Sequence, residues 1–347
     1  MNTKEIILSN KFCYPCYPVI EKEFIYIGLR FTDKDSDINS VKSYQIQKIN
    51  SKSNNVIWSI DLVDNKVLCK PIIVNDIILF STESGLIAVN KLDGKQVWKF
   101  KTKIWTSHLS YINDKIYLIN KNAIEVIDIK SGKRLKQKKY RIKWIDSPVV
   151  TNNNKLFIST SNCKILEIDK DSLEILTQYK YPGSWAIATT PEFYKNQILS
   201  NSYASYITSF DIDSGNIIWR IKKKAGSEPK QLIASNFLYA IEILGAHKLT
   251  SINLSKGKKI WSKDYHIHEL IDYKENTLLA TLKQENGQYT IGLISKKNGE
   301  LIDSLSPNNF KFDDKFQYRL WNEALIENND EKSIICYKPN EITILTK

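Results

Sequence analysis

Apolar and polar positions alternate with a period of two over short stretches along most of the chain. One run reads KPIIVND, IILFSTES, GLIAVNKLDG and KQVWKF from Lys70 to Phe100. Alternation of this kind, rich in β-branched residues and broken by Asp-Gly or Ser-Gly turns, predicts short antiparallel strands, four to the unit. No stretch carries the 3.6-residue apolar period of an amphipathic helix. The chain is therefore expected to be all-β.

The unit recurs. A turn glycine is followed four residues later by tryptophan at Gly94–Trp98, Gly215–Trp219 and Gly257–Trp261, while Gly132–Lys136 and Gly299–Asp303 keep the glycine and lose the aromatic. Equivalent positions are Trp58, Trp98, Lys136, Thr177, Trp219, Trp261 and Asp303, spaced by 40, 38, 41, 42, 42 and 42 residues. Four strands in a unit of this length, repeated along the chain, specify a β-propeller.

Seven complete units run from about Pro18 to Pro307, and three further strands are expected around EALIEN, SIICYK and EITILTK. The N-terminal segment over residues 4–12 is a spare strand that would supply the missing outer strand of the last unit. The expectation is one domain over residues 1–347, an eight-bladed β-propeller of four-stranded antiparallel blades with the last blade closed by the N-terminal strand. Closure of that kind removes exposed sheet edges.

The unit PIIVNDIILFSTESGLIAVNKLDGKQVWKF resembles the repeat of pyrroloquinoline-quinone-type propellers, and weaker copies begin at Pro148, Pro191 and Pro229. FDIDSGNIIWRI and INLSKGKKIWSK are especially close. The family includes quinoprotein dehydrogenases, outer-membrane-assembly lipoproteins and binding scaffolds, so the resemblance implies a fold rather than a function.

The eight tryptophans divide into two sets. Trp58, Trp98, Trp219 and Trp261 sit on the outer strand, where a recurring large aromatic is expected to wedge between neighbouring blades. Trp105, Trp144, Trp185 and Trp321 lie shortly before inner strands, on linkers that return from blade rim to centre, and Tyr14 has the same spacing to Pro18. Their linkers also collect His108, Asp146, Glu228, His268, Glu269 and Arg319, with Lys136, Lys138, Lys139, Arg141 and Lys143 just before Trp144. Aromatics beside Arg and Lys make a protein-binding rim or a nucleic-acid grip; packing between blades is the bland alternative. The residues expected to meet a partner are Tyr14, Trp105, Arg141, Lys143, Trp144, Trp185, Arg319 and Trp321.

Charge bears on the partner. With 50 Lys and Arg against 38 Asp and Glu the net charge is +12, which suits an acidic partner, although evenly spread lysine also describes a solvated surface. No sequence-reading module for nucleic acid is visible, so a protein partner ranks above nucleic acid. At 42% hydrophobic and 25% charged, with no run of membrane-spanning length, the composition is that of a folded soluble chain. The opening residues lack a secretory apolar region, and five cysteines are an odd number, so the expected compartment is the cytoplasm.

Catalytic signals are sparse. Cys13 and Cys16 form a single C-x-x-C, which could be half of a zinc site or a redox pair; no second C-x-x-C completes a zinc site, and the motif does not open a helix that would lower a thiol pKa. Quinoprotein dehydrogenases hold their cofactor with adjacent cysteines, a stacking tryptophan and a calcium site; this chain has no adjacent cysteine pair. A phosphate loop, a nucleophile elbow and a His-Glu-x-x-His helix are absent, and Asp313 and Asp314 lie in a polar, turn-like stretch. The reading is a non-catalytic scaffold that binds a macromolecule through the linker face, with no cofactor and no metal. The alternative is a quinoprotein-like enzyme or sensor holding a small redox cofactor in the central channel.

Overall fold

A computed structural model describes residues 2–8, 13–32, 43–62, 66–104, 108–181, 189–202, 206–223, 229–242, 248–283, 289–305, 326–327, 334–338 and 341–346. Among these residues all regular structure is β-strand. Seven four-stranded antiparallel sheets are built from consecutive strands, over residues 13–62, 72–101, 109–139, 150–180, 192–222, 229–264 and 267–305. A further four-stranded sheet joins the two ends of the chain. In it Asn2–Ile7 pairs antiparallel with Glu341–Thr346, from Asn2 opposite Thr346 to Ile7 opposite Glu341.

The N-terminal strand thus takes the outer place beside the three tail strands Ile326–Glu327, Ile334–Lys338 and Glu341–Thr346. Its bounds differ from the expected 4–12. Pairing begins at Asn2 and stops at Ile7, where the partner strand reaches its own first residue, Glu341. Residues 9–12 lie outside the described residues.

Two compact units can be distinguished: Met1–Asp114, Ile127–Arg134 and Trp321–Lys347 form one, and Lys115–Val126 with Leu135–Leu320 the other. The first contains the sheets over 13–62 and 72–101 and the sheet that joins the chain ends. The second contains the four sheets between residues 150 and 305, and the sheet over 109–139 contributes to both.

The repeat signature has a mechanical basis. Trp58, Trp98 and Trp219 are buried, and each donates its indole N–H to a carbonyl in the last turn of the following sheet: Lys91 at 3.1 Å, Ile129 at 2.8 Å and Leu254 at 2.8 Å. Trp261, partly buried, donates to Lys296 O at 2.9 Å. The turn glycine one unit later lies against the ring. A Cβ on Gly132 would sit 2.5 Å from Trp98, and one on Gly257 would sit 2.4 Å from Trp219. Both glycines also have positive φ (67° and 61°), which side chains resist. The glycine and tryptophan of the motif are thus two sides of one contact, made between successive units.

Where the tryptophan is missing, tyrosine replaces it from a different offset. Tyr140 donates its hydroxyl to Leu173 O at 3.0 Å, and Tyr179 donates to Ile212 O at 2.8 Å. Both tyrosines are buried. Leu173 occupies the glycine place, with φ 61° and its N–H bonded to Asp169 O at 2.9 Å, as Gly132 bonds Asp128 O. In these turns Asp169 and Asp211 accept from the backbone N–H and hydroxyl of Ser172 and Ser214, which holds both carboxyls below the usual carboxylate range.

A second regularity marks the outer strands. At the same point in six sheets the pairing skips one residue, so that Ile57, Val97, Leu176, Ile218, Ile260 and Ile302 face no partner across the sheet. All six are exposed. A bulge of this kind twists an edge strand away from in-register pairing with another chain, which protects an otherwise open edge.

Candidate functional surface

The described part of the expected linker face centres on residues 140–146. Tyr140 is pinned by its N–H to Asn122 O at 2.9 Å, and Ile145 donates its N–H to Lys121 O at 2.8 Å. On the next sheet, Trp144 N–H reaches Ser161 Oγ at 3.0 Å, Ser161 N–H returns to Trp144 O at 3.1 Å, and Asp146 N–H donates to Ser159 O at 2.8 Å. The linker is therefore clamped on both sides. Tyr140 and Ile145 turn inward, while Arg141 and Lys143 are exposed.

Trp144 is half-buried, and the ammonium of exposed Lys121 lies 5.2 Å from its ring centroid. Such a pair at an exposed site contributes about 0.5–1 kcal/mol. Trp144, Arg141, Lys143 and Lys121 thus form a basic surface built around one aromatic, on a backbone held at several points.

Asp146, expected among the polar groups of this face, turns inward. Its Oδ2 is buried with no hydrogen-bond partner among the described residues, and burial pushes its carboxyl up to about 6. Burial also raises the thiol of Cys163, with the Asp146 charge adding to the effect.

The other expected contact residues divide as follows. Tyr14 is not on a linker. It lies in the strand Cys13–Glu21 opposite Arg30, because this strand is the sheet's inner edge, where Pro15 and Pro18 are tolerated; an irregularity between Cys16 and Val19 absorbs the second proline. His268 and Glu269 likewise fall within the strand Ile267–Lys274 rather than a linker. Trp105, Trp185, Glu228, Arg319 and Trp321 lie outside the described residues.

A buried polar seam was not anticipated. Ser159 Oγ donates to Thr189 O at 2.9 Å, Thr189 Oγ1 donates to Asn201 O at 2.6 Å, and Asn201 Nδ2 reaches Lys230 O at 3.3 Å. The seam links the sheets over 150–180, 192–222 and 229–264. Its sequence signal is small polar residues closing the second strand, Ser81-Thr82, Ser159-Thr160 and Ser200-Asn201, all buried. Beside it, burial pushes the Glu192 carboxyl up from its ordinary 4.5 to about 7, against the opposing hydrogen bonds of the Gln231 side chain and Ile233 N–H.

That shift makes stability depend on pH. The unfolded chain releases the Glu192 proton near 4.5 and the folded chain only near 7, so the folded state loses ground as pH rises between these values and the loss levels off above. Glu192→Gln is expected to leave stability at pH 4 unchanged and to raise it at pH 8 by on the order of 2–3 kcal/mol. Urea unfolding at the two pH values checks this; equal effects at both would contradict it.

Among the described residues no three His, Cys, Asp or Glu side chains gather where they could hold a metal ion. Burial raises the Cys16 thiol despite the pull of Arg30, which favours the neutral thiol over the thiolate that a metal takes. No helix among the described residues is long and apolar enough to cross a membrane.

Comparison with known proteins agrees with the repeat. A family described as outer membrane protein assembly factor BamB matches residues 40–142 and 120–269. The structure is similar to BamB from Moraxella catarrhalis, with a TM-score of 0.69 at 13% identity over 99% of this chain and 100% of that one. It is also similar to a computationally designed protein, Ika8, with a TM-score of 0.72 at 12% identity over the full length of both. A chain of the mitotic checkpoint complex aligns with a TM-score of 0.59 at 11% identity, over 78% of this chain and 86% of that one. No protein of curated function matches the sequence. At these identities the structural likeness speaks for the β-propeller fold alone.

Proposed function

Because the chain belongs to the family of the outer membrane protein assembly factor BamB, a family of pyrroloquinoline-quinone-like propeller repeats, we propose that it is a non-catalytic scaffold that binds a protein partner. The proposal includes a single eight-bladed propeller domain over residues 1–347, with the sheet that joins the chain ends as the eighth blade. Supporting it, that sheet has the four strands of the other seven, and Asn2–Ile7 holds the outer place in it.

The observation that carries the binding role is the basic surface around Trp144. Arg141 and Lys143 are exposed, Lys121 lies 5.2 Å from the Trp144 ring, and the backbone beneath is clamped by hydrogen bonds to both neighbouring sheets. Aromatic and arginine side chains are the usual anchors of protein interfaces, and a backbone that is already held lowers the ordering cost of binding. A cytoplasmic setting belongs to the same reading. The chain has five cysteines, an odd number that suits a reducing compartment better than a disulfide framework.

Affinity capture from the native source with the intact chain and with Trp144→Ala tests the role. The intact chain is expected to retain a defined protein partner. Trp144→Ala should weaken that complex by about 2 kcal/mol or more, the scale of an interface hot spot. Equal capture by both chains would remove the Trp144 surface from the reading.

A further inference from the structure

We infer that the partner segment docking on this surface is an acidic polypeptide in extended conformation, lying along the outer strand Arg134–Lys139 and on to Trp144. The inference rests on the scaffold reading and adds the chemistry of the bound segment. From Arg134 to Lys143, six of ten residues are Lys or Arg and none is Asp or Glu. The other outer strands carry fewer cations: Val56–Leu62 and Leu301–Leu305 have none, Ile175–Lys180 has one, Gln96–Lys101 and Ile217–Lys222 have two each, and Lys258–Asp264 has three and ends on an acid, against four in Arg134–Lys139.

Two of these cations are already engaged. Lys136 donates to Asp171 O and Lys138 pairs with Glu174, both on the last turn of the following sheet. With Tyr140, which replaces the tryptophan of other sheets, they hold this strand to the following sheet. Lys139, Arg141 and Lys143 are exposed, and none has a carboxylate within ion-pair distance among the described residues. Leu135 is 54% exposed and offers an apolar contact between them and the strand's start.

The strand is the last in its sheet, so among the described residues one side of its backbone pairs with no other strand. Six residues at about 3.3 Å each give a docking length of about 20 Å, enough for an extended segment of similar length. Like charge along the edge disfavours pairing with a second copy of this chain, whereas an acidic segment neutralises it. A single-stranded nucleic acid is disfavoured by the aromatic component. Base stacking needs open ring faces in succession, and the described surface offers one half-buried ring with Lys121 beside it.

The test is fluorescence anisotropy of the full chain with three labelled probes: a 12-residue peptide of Glu, Asp and Leu, its Gln/Asn counterpart, and a 12-nucleotide oligothymidine. The acidic peptide is expected to bind at least tenfold more tightly than the other two, and its affinity should fall with added salt. The triple variant Lys139→Glu/Arg141→Glu/Lys143→Glu should lose tenfold or more, and Lys222→Glu, exposed on another outer strand, should lose nothing. The same three residues changed to Gln serve if charge reversal impairs folding. Oligothymidine binding as tight as the acidic peptide, no binding of the acidic peptide, or an unaffected triple variant would each overturn the inference. If the peptide fails while partner capture still depends on Trp144, this inference falls and the scaffold reading stands; loss of both dependences defeats the scaffold reading as well.

Discussion

Trp219→Ala is expected to cost about 3–5 kcal/mol of stability, as truncation of a buried large aromatic does. The ring packs among Leu199, Ile207, Leu238, Ile252 and Leu254, side chains from two successive sheets. Truncation would leave a cavity between those sheets and would free the Leu254 carbonyl that now accepts the indole N–H at 2.8 Å. The reciprocal change, Gly257→Ala, should also destabilise, since its Cβ would lie 2.4 Å from the same ring at a backbone φ of 61°. The two lesions strike one contact, so the double variant should cost less than their sum. Urea melts of the two single variants and the double variant check this. Full additivity, or a loss below about 1 kcal/mol for Trp219→Ala, would contradict the wedge role.

The second large effect is expected at the N terminus. Removing residues 1–8 takes away six paired residues beside Glu341–Thr346 together with Ile6 and Leu8, which are 0% and 4% exposed. Loss of two such side chains corresponds to roughly 3–6 kcal/mol, and in a chain of this size to a melting point lower by roughly 5–10 °C. The strand Glu341–Thr346 would then present a bare edge, which invites aggregation. A shortened chain that melts as the intact one does and stays monomeric in light scattering would show that the strand does not fasten the chain ends.

Much of the fold was legible because its repeating contact uses residues that stand out in a sequence. Glycine at positive φ and tryptophan at a fixed offset mark each turn and wedge, and alternation marks each strand. Legibility failed where another residue did the same job from another place. Tyr140 and Tyr179 replace the tryptophan from four and two residues beyond the repeat positions Lys136 and Thr177, and Leu173 sits in the glycine place because the turn's Asp169–Ser172 bonds hold it there. Spacing alone reads Tyr14 and His268 as linker residues, whereas both lie within strands, because spacing cannot show how early an inner strand begins. The site was legible only in part. The aromatic–basic run at 141–144 was visible as composition, but burial of Asp146 and placement of Lys121 beside Trp144 depend on which turn of the preceding strand pair meets the linker. Glu192 gave no local signal, since its shift comes from the sheet packed over it.

One paired measurement separates wedge from docking tryptophans: the thermal midpoint and the partner affinity of Trp144→Ala and Trp219→Ala, made side by side. The expected result is that Trp144→Ala melts within about 1 kcal/mol of the intact chain and loses partner binding by about 2 kcal/mol or more. Trp219→Ala should melt far lower and, below its midpoint, bind as the intact chain does. Trp144→Ala as unstable as Trp219→Ala, with binding that fails only as the fold fails, would make Trp144 a packing residue and contradict the claim that its surface is where the partner docks.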